Sequence, residues 1–481
     1  MPSALMGYAD MTLPAVLKSL SAEEAQQEML RQRAIVLNWA FYHGRILPPA
    51  ERGETPDHYE RRVKLVINLV RRIIRIKRSF LYGTGIITGI RPAAHAKIID
   101  TVHKDNDIDR FRLKLATVGM VSGTAIVNPM WVVEEDGPRV KYRLIPAENA
   151  RVQIDPLNPD RLRQFSFRSE WIDPSDERTT HVKWDIVTDV FWHVYINDKR
   201  MPELEAEGGR NPYGFIPFVF FRNNEDAEFP WGGSEVADLL NLQNELNCRA
   251  SDASNVVKHH GSPLVVTKGA AGQIVVGPDK LIELQSPESS IEYLTWSQDM
   301  PGALSLMDRH VDWLGAVSDC PAPELMNLEG IGNLTSAVAL QMLYKPLSRL
   351  TGEARLQYGA GERELATATV RVYGVHVPGQ VVDHRKMDVE CGWPREPVPV
   401  NELEELQAKQ MRRELGLETQ RDQLKDNHPD WNDKRIDEYI AEIEEERQAR
   451  VRTIASTMTG RETTQLNSMF ADLERGQGAE E

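Results

Sequence analysis

Apolar residues recur along this chain with two different periods, and the switches between them divide it into segments. From Ser21 to Tyr42 the spacing is helical, and Ser21 with Glu24 has the spacing of a capping box, in which two side chains satisfy free N–H groups of the first turn. A loop rich in Pro, Gly and Glu follows. The stretch His58 to Tyr82 places Val63, Val66, Ile67, Val70, Ile74, Lys77 and Leu81 at three- and four-residue steps, which predicts one helix with a basic outer face, stopped by Gly83. From about Gly119 to Phe221 the period shortens to two. The runs Thr124 to Val133, Val140 to Ile145, Val152 to Ile154, Arg163 to Trp171, Thr180 to Trp184 and Asp189 to Ile196 alternate between turn-forming clusters, as antiparallel hairpins require.

The helical period returns at Ser234, an N-cap candidate after Gly232-Gly233, and continues to His259 before Gly261 and Pro263. Its polar positions are Asn241, Gln243, Asn244, Asn247, Ser251, Asp252, Ser254 and Asn255, a face suited to packing on a neighbour or lining water. Short β-like runs follow at Leu264 to Thr267, Gln273 to Val276, Leu281 to Leu284 and Ile291 to Leu294. A second helix then starts near Asp299 with Pro301 in its first turn and Leu304, Met307, Val311 and Leu314 as its stripe. Cys320 to Leu334 has two prolines, two glycines and no period, so it reads as a loop. Thr335 or Ser336 caps a long helix to about Tyr373, interrupted at Pro346, whose missing donor predicts a kink around Met342 to Pro346. Val381 to Val389 is β-like. After the breaker CGWPREPVPV, two or three acidic helices are expected between Asn401 and Thr459, and Gly476 to Glu481 read as disordered.

At 481 residues the chain exceeds one ordinary domain, and its 41% hydrophobic and 27% charged content is that of a folded protein. Cys248, Cys320 and Cys391 are too widely spaced for a Cys/His metal quartet and fit a reducing compartment. The most apolar run, Phe215 to Phe221, is broken by Pro217 and too short for a bilayer, and no leader-like segment precedes it, so a soluble cytosolic product is expected. A net charge of −15 argues against tight phosphate contact, which relies on Lys and Arg releasing counterions. The charge is uneven: Arg61 to Arg91 holds no acidic residue, whereas the chain from Glu396 onward is predominantly acidic.

Catalytic signals are missing. There is no phosphate loop, zinc-protease helix, nucleophile elbow or EF-hand loop. Gly83 to Gly89 departs from the dinucleotide fingerprint in spacing and follows a helix, so it reads as a helix stop and turn. His259-His260 reads as solvated or dipole-stabilised, and Glu442 to Glu446 as a solvated helical face. No catalytic residue, metal or cofactor is expected.

Taken in order, four stretches resemble the portal proteins of tailed phages with long non-contractile tails. INLVRRIIRIKRSFLYGTGI, from Ile67, is similar to the family's early helix, where an Asn precedes an apolar helix ending in Tyr-Gly. NPYGFIPFVFFRNN (Asn211 to Asn224) resembles its Asn-Pro-x-Gly-x-Ile-Pro followed by an apolar strand. GGSEVADLLNLQNELN (Gly232 to Asn247) resembles the opening of its first stem helix, and NLTSAVALQMLYKPL (Asn333 to Leu347) the start of the helix after its tunnel loop. The similarity spans about Asn68 to Glu446.

The resemblance implies an α+β portal fold and a dodecameric ring that passes double-stranded DNA at a capsid vertex. Its segments would be a β-rich wing (1–231), stem helix 1 (232–260), a small α/β clip (261–297), stem helix 2 (298–319) and a tunnel loop (320–334). A long kinked wing helix (335–375), a wing strand and linker (376–400), and a helical crown with C-terminal tail (401–481) would follow. The implied loop residues facing DNA are Glu324, Met326, Asn327, Leu328, Glu329 and Asn333. The loop has no Lys or Arg, which would suit a channel, because each tight phosphate contact adds a barrier to movement; a plain surface loop is the other reading. The implied partners are copies of the chain, the terminase large subunit, head-completion or adaptor proteins, and capsid and scaffolding proteins, in the virion and, during assembly, the host cytoplasm. The basic face of Arg61 to Arg78 either touches packaged DNA or forms intersubunit ion pairs, the second being preferred. A head–tail adaptor or scaffold-like protein is the rival structural reading, and an unrecognised enzyme the rival of another class.

Overall fold

The computed structural model of the protein describes residues 22–83, 85–135, 137–173, 176–225, 230–261, 264–268, 290–294, 300–325, 337–379, 383–393, 402–427 and 433–457. They divide between two units, 1–399 and 400–481. The first unit begins with α1 (Ala22–Tyr42), a short α2 (Pro56–Arg61) and, after an extended strap over 62–68, α3 (Leu69–Tyr82). The single helix expected over His58 to Tyr82 is thus two. Thr55 accepts the His58 N–H and Pro56 starts α2, whereas the strap's backbone finds partners outside any helix. Asn68 restarts the helix: its Oδ1 accepts the Arg71 N–H at 2.9 Å and its Nδ2 donates to the Tyr42 carbonyl at 2.9 Å. Within α3 the expected stripe of Val70, Ile74, Lys77 and Leu81 is buried.

After α3 the chain forms β1 (Ile87–Arg91), where a turn was expected, and then α4 (Ala93–Asp105) and α5 (Ile108–Ser122), to which no element is assigned above. The alternating runs are strands: β2 (Thr124–Glu134), β3 (Gly137–Ile145), β4 (Ala150–Asp155), β5 (Asn158–Asp173), β6 (Asp176–Val187), β7 (Trp192–Ile196), β8 (Lys199–Arg200) and β9 (Val219–Arg222). They form a sheet of order β3-β2-β9 and an antiparallel meander β4-β5-β6-β7-β8.

Strand β2 is buried on both faces along its first half, and successive side chains serve different cores. Ala125 and Val127 join Leu115, Met120 and Leu365 in the main core, while Ile126 joins Phe165, Phe167 and Phe218 in a second. The Phe165 and Phe218 rings stand 4.2 Å apart.

The chain then forms α6 (Leu240–Gly261), the antiparallel pair β10 (Leu264–Lys268) and β11 (Ser290–Leu294), and α7 (Met300–Ser318). Helix α6 starts six residues after the expected cap, because Ser234 Oγ is engaged locally: it accepts the Val236 N–H and donates to the Val121 carbonyl. The β-like runs at 273–276 and 281–284 lie outside the described residues. A single turn, α8 (Ala322–Leu325), begins the expected loop, and α9 (Ala337–His376) follows as one 40-residue helix that runs through Pro346. The expected strand at Val381 to Val389 is displaced: β12 (Asp388–Gly392) pairs with β1, and residues 384–386 form a helical turn capped by Asp383. This pairing is what turns residues 87–91 into a strand.

Helix α9 crosses β2, β9 and α3, and one buried ion pair orients it. Arg112 of α5 reaches Glu362 with two bonds of 2.9 Å, and Tyr82 Oη donates to the same carboxylate at 3.0 Å. Burial, and then the Glu362 charge, holds the Tyr82 phenol well above its ordinary pKa. In the second unit, α10 (Glu402–Glu414) is followed by α11 (Gln420–Asn427) and α12 (Asp433–Thr457), with Arg421 and Asp437 paired at 3.1 Å over buried Ile436. Glu442, Glu444 and Glu445 are exposed, as a solvated face requires.

Two outcomes follow. Glu362→Ala leaves the Arg112 guanidinium buried without a counter-charge and is expected to cost on the order of 3–5 kcal/mol in denaturant unfolding. Burial, and then the Arg112 cation, pushes the His103 imidazole down to about 4. The unfolded chain takes up that proton near pH 6.5, so this contribution is complete above about pH 6.5 and is lost as pH falls toward 4. A His103→Phe variant should show a flatter stability profile across that window in thermal melts.

Candidate functional site: the helical hairpin and its anchorage

The polar positions of α6 divide between two surroundings: Asn241 and Asn244 line an open groove, and a second set packs on a neighbouring segment of the same chain. Gln243, Asn247, Ser251 and Asn255, four residues apart, bond the backbone of the extended strap. Asn255 Oδ1 accepts the Val63 N–H at 2.8 Å, Ser251 Oγ the Leu65 N–H at 2.9 Å, and Asn247 Oδ1 the Ile67 N–H at 3.0 Å. Gln243 Oε1 accepts the Leu69 N–H at 3.0 Å, while its Nε2 donates to the Ile67 carbonyl at 2.7 Å and Asn255 Nδ2 to the Val63 carbonyl at 3.2 Å. The match has a simple origin. Four helical residues rise about 6 Å and two extended residues advance about 6.6 Å, so side chains at i, i+4, i+8 and i+12 keep step with alternate strand residues. The helix face thereby substitutes for a neighbouring strand, and the strap's inward N–H groups are satisfied.

The hairpin leaves the β-sheet through a joint where two backbones touch. A Cβ at Gly232 would stand 2.1 Å from the Asn223 carbonyl oxygen, and one at Gly123, whose φ is +82°, would stand 2.2 Å from the Gly232 oxygen. Beside this crossing, Lys77 Nζ meets Glu235 Oε2 at 2.5 Å, and Asn223 and Asn224 donate to Glu235 Oε1 at 3.2 and 2.9 Å. Tyr358 of α9 reaches Asn223 Oδ1 at 3.4 Å and lies so close to α5 that a Cβ at Gly119 would stand 2.2 Å from its hydroxyl.

Helices α6 and α7 pack together, with Leu246, Ala250, Val311 and Leu314 buried. Of the expected stripe on α7, Met307 is half-buried and Leu304 is exposed. Leu306, Trp313 and Val317 are exposed as well. At the end of α7, Cys320 and Leu325 enter the main core, and burial raises the Cys320 thiol to about 11.

The expected loop residue Glu324 lies in α8. Its carboxylate accepts the Tyr344 hydroxyl at 2.6 Å, its carbonyl accepts from Arg72 Nε, and burial, followed by the Glu324 contact, raises the Tyr344 pKa. Met326, Asn327, Leu328, Glu329 and Asn333 lie outside the described residues, as do the side chains of His259 and His260. Pro346 is exposed within α9. Among the described residues no group of acidic, His and Cys side chains is placed to hold a metal, and no helix is long and apolar enough to cross a membrane.

Sequence reasoning singled out the α6 amides without their partner and missed the Arg112–Glu362 pair. The signal for the amides was their four-residue spacing. Asn211, from the stretch carrying the resemblance, closes a turn: Oδ1 accepts the Tyr213 N–H, and Nδ2 donates to the Thr188 and Phe215 carbonyls.

A family model described as "Phage portal protein, SPP1 Gp6-like" matches residues 25–452. The chain belongs to this family of phage portal proteins, which is a family of structural proteins. Among solved structures, a chain of the "Virion of native gene transfer agent (GTA) particle" is similar at 12% identity and TM-score 0.40, over 80% of this chain and 89% of that one. A chain of the "Neck of native GTA particle computed with C12 symmetry" is similar at 12% identity and TM-score 0.40, over 73% and 86%. One from the "Neck of empty GTA particle computed with C6 symmetry" stands at 14% and 0.40, over 74% and 87%. No curated protein matches by sequence.

Asn247→Leu removes the acceptor of the Ile67 N–H and is expected to cost about 1–3 kcal/mol. Hydrogen exchange should localise the loss, with the amides of residues 63–69 exchanging faster than those of β2.

Proposed function

We propose that this chain is a non-enzymatic portal subunit that assembles into a dodecameric ring at the unique vertex of a phage capsid. The ring is the passage for double-stranded DNA during packaging and ejection. It also docks the terminase motor during filling and head-completion proteins afterwards, with ATP hydrolysis left to the motor. The observation that carries this reading is the pair α6 and α7, joined through the β10–β11 pair, tied on one side to the strap and exposing apolar residues on the other. Such a face is costly on a solitary chain and suited to neighbouring copies.

In this assignment 1–231 is the wing, 232–260 and 298–319 the stem helices, and 261–297 the clip. Residues 320–334 are the tunnel loop, 335–375 the wing helix kinked at Pro346, 376–400 the wing strand and linker, and 401–481 the crown and tail. Glu324, Met326, Asn327, Leu328, Glu329 and Asn333 present acidic, amide and apolar groups to DNA. With no Lys or Arg in the loop, and −15 net charge on the chain, phosphates slide past without deep wells. The site is in a virion, assembled in the host cytoplasm with capsid and scaffolding proteins.

Negative-stain imaging of the purified chain should show rings with a central hole; monomers or open filaments at every concentration reject the proposal. Because Leu325 is fully buried, the loop deletion belongs at 326–333, beyond α8. That deletion should lower DNA packaging or retention at least about tenfold while rings still form, and packaging at normal yield rejects the loop assignment.

A further inference from the structure

A closed ring of identical subunits needs two different surfaces on each, one complementary to the other. Two surfaces of the first unit carry unmatched groups of opposite kind. One is a groove of about 1150 Å³ between α1, the following loop and the start of α6, lined by Trp39, His43, Leu47, Tyr59, Leu240 and Asn244. Cations border it. Arg45 is in the lining, and Arg45 and Arg71 lie close enough to His43 to lower its pKa, after burial, which is the larger cause. Arg71 and Arg75, one helical turn apart on α3, are exposed, and among the described residues neither meets a carboxylate. Within the groove, Glu148 Oε2 is buried without a hydrogen-bond partner.

The other surface is the exposed side of α7. At about 100° per residue, Leu306, Trp313 and Val317 fall on one flank, Asp308 and Asp312 on the opposite flank, and Arg309 between them. Asp308, Asp312 and Arg309 are exposed and have no ion-pair partner among the described residues. By the same rotation, the groove-lining Leu240 and Asn244 lie about 120° around α6 from Leu246 and Ala250. The groove and α7 therefore look away from different sides of that helix.

We propose that α7 of one copy docks in this groove of the next, as the ring interface. Leu306, Trp313 and Val317 cover the apolar walls, Asp308 and Asp312 meet Arg71 and Arg75, and Arg309 approaches the Glu148 carboxylate, whose Oε2 has no hydrogen-bond partner within the chain although Arg31 lies nearby. The occupant is a second copy because the charges are complementary in order: acidic flank to basic rim, cation to orphaned carboxylate oxygen. This rests on the ring reading above and names its contact surfaces.

The test uses the full chain, with assembly followed by mass photometry and imaging. Arg71→Glu with Arg75→Glu, and separately Asp308→Lys with Asp312→Lys, should each raise the half-assembly concentration at least about tenfold; the fourfold variant should recover to within about threefold of wild type. Thermal melts check folding, and if a reversal fails to fold, Trp313→Asp replaces it with the same expected loss. Reversals or Trp313→Asp that assemble normally overturn the pairing while leaving rings intact, as does a fourfold variant no better than either pair. Normal assembly of Arg71→Glu with Arg75→Glu, coupled to weaker binding of a DNA duplex, assigns those arginines to phosphate and also overturns it. Absence of rings from the unaltered chain rejects the ring reading itself, and this inference with it.

Discussion

Everything the long helices do is conditioned by the joint at which the chain leaves the β-sheet. At Gly123 and Gly232 backbone rests on backbone, with no room for a side chain, so the direction in which residues 232–239 depart is constrained by close backbone packing. The Lys77–Glu235 pair and the two asparagines then hold that direction against α3. Burying such a charge pair gains little net stability, but an alternative packing would leave one charge alone, which is far worse. The Arg112–Glu362–Tyr82 cluster does the same for α9 against α5 and α3. The two clusters specify orientation more than they add cohesion.

Much of the fold was legible in periodicity. The strands between residues 124 and 196 were readable because alternation has one meaning where a face is buried, and α7 because a first-turn proline precedes a stripe of which Met307, Val311 and Leu314 turn inward. The break in the early helix was not readable: Val63, Val66 and Ile67 keep a helical spacing, yet their segment is extended because α6 supplies acceptors from 174 to 192 residues away in sequence. Strand β1 was missed for a similar reason, since its partner β12 lies some 300 residues on, and tertiary pairing overrode a Gly-rich local signal. Lys77 belonged to the apolar stripe by position; its burial becomes intelligible only when Glu235 is seen beside it.

The candidate site was legible in outline. The order helix, small β unit, helix was evident, as was the polar oddity of α6, whereas its partner was not, because an amide side chain advertises hydrogen bonding without saying to what. Glu324 was singled out as a loop residue, and its bonds to Tyr344 and Arg72 depend on contacts between α8, α9 and α3 that no local pattern encodes.

The ladder between α6 and the strap contains amides and a hydroxyl and no ionisable group. Coulombic contacts weaken as the surrounding electrolyte thickens, and carboxylates and imidazoles switch with proton activity; neutral dipole-to-dipole bonds sheltered from solvent do neither. These ladder bonds are therefore insensitive to ionic strength and acidity, whereas the Lys77–Glu235 pair at the joint and the Lys258 bond to the Arg61 carbonyl carry charge.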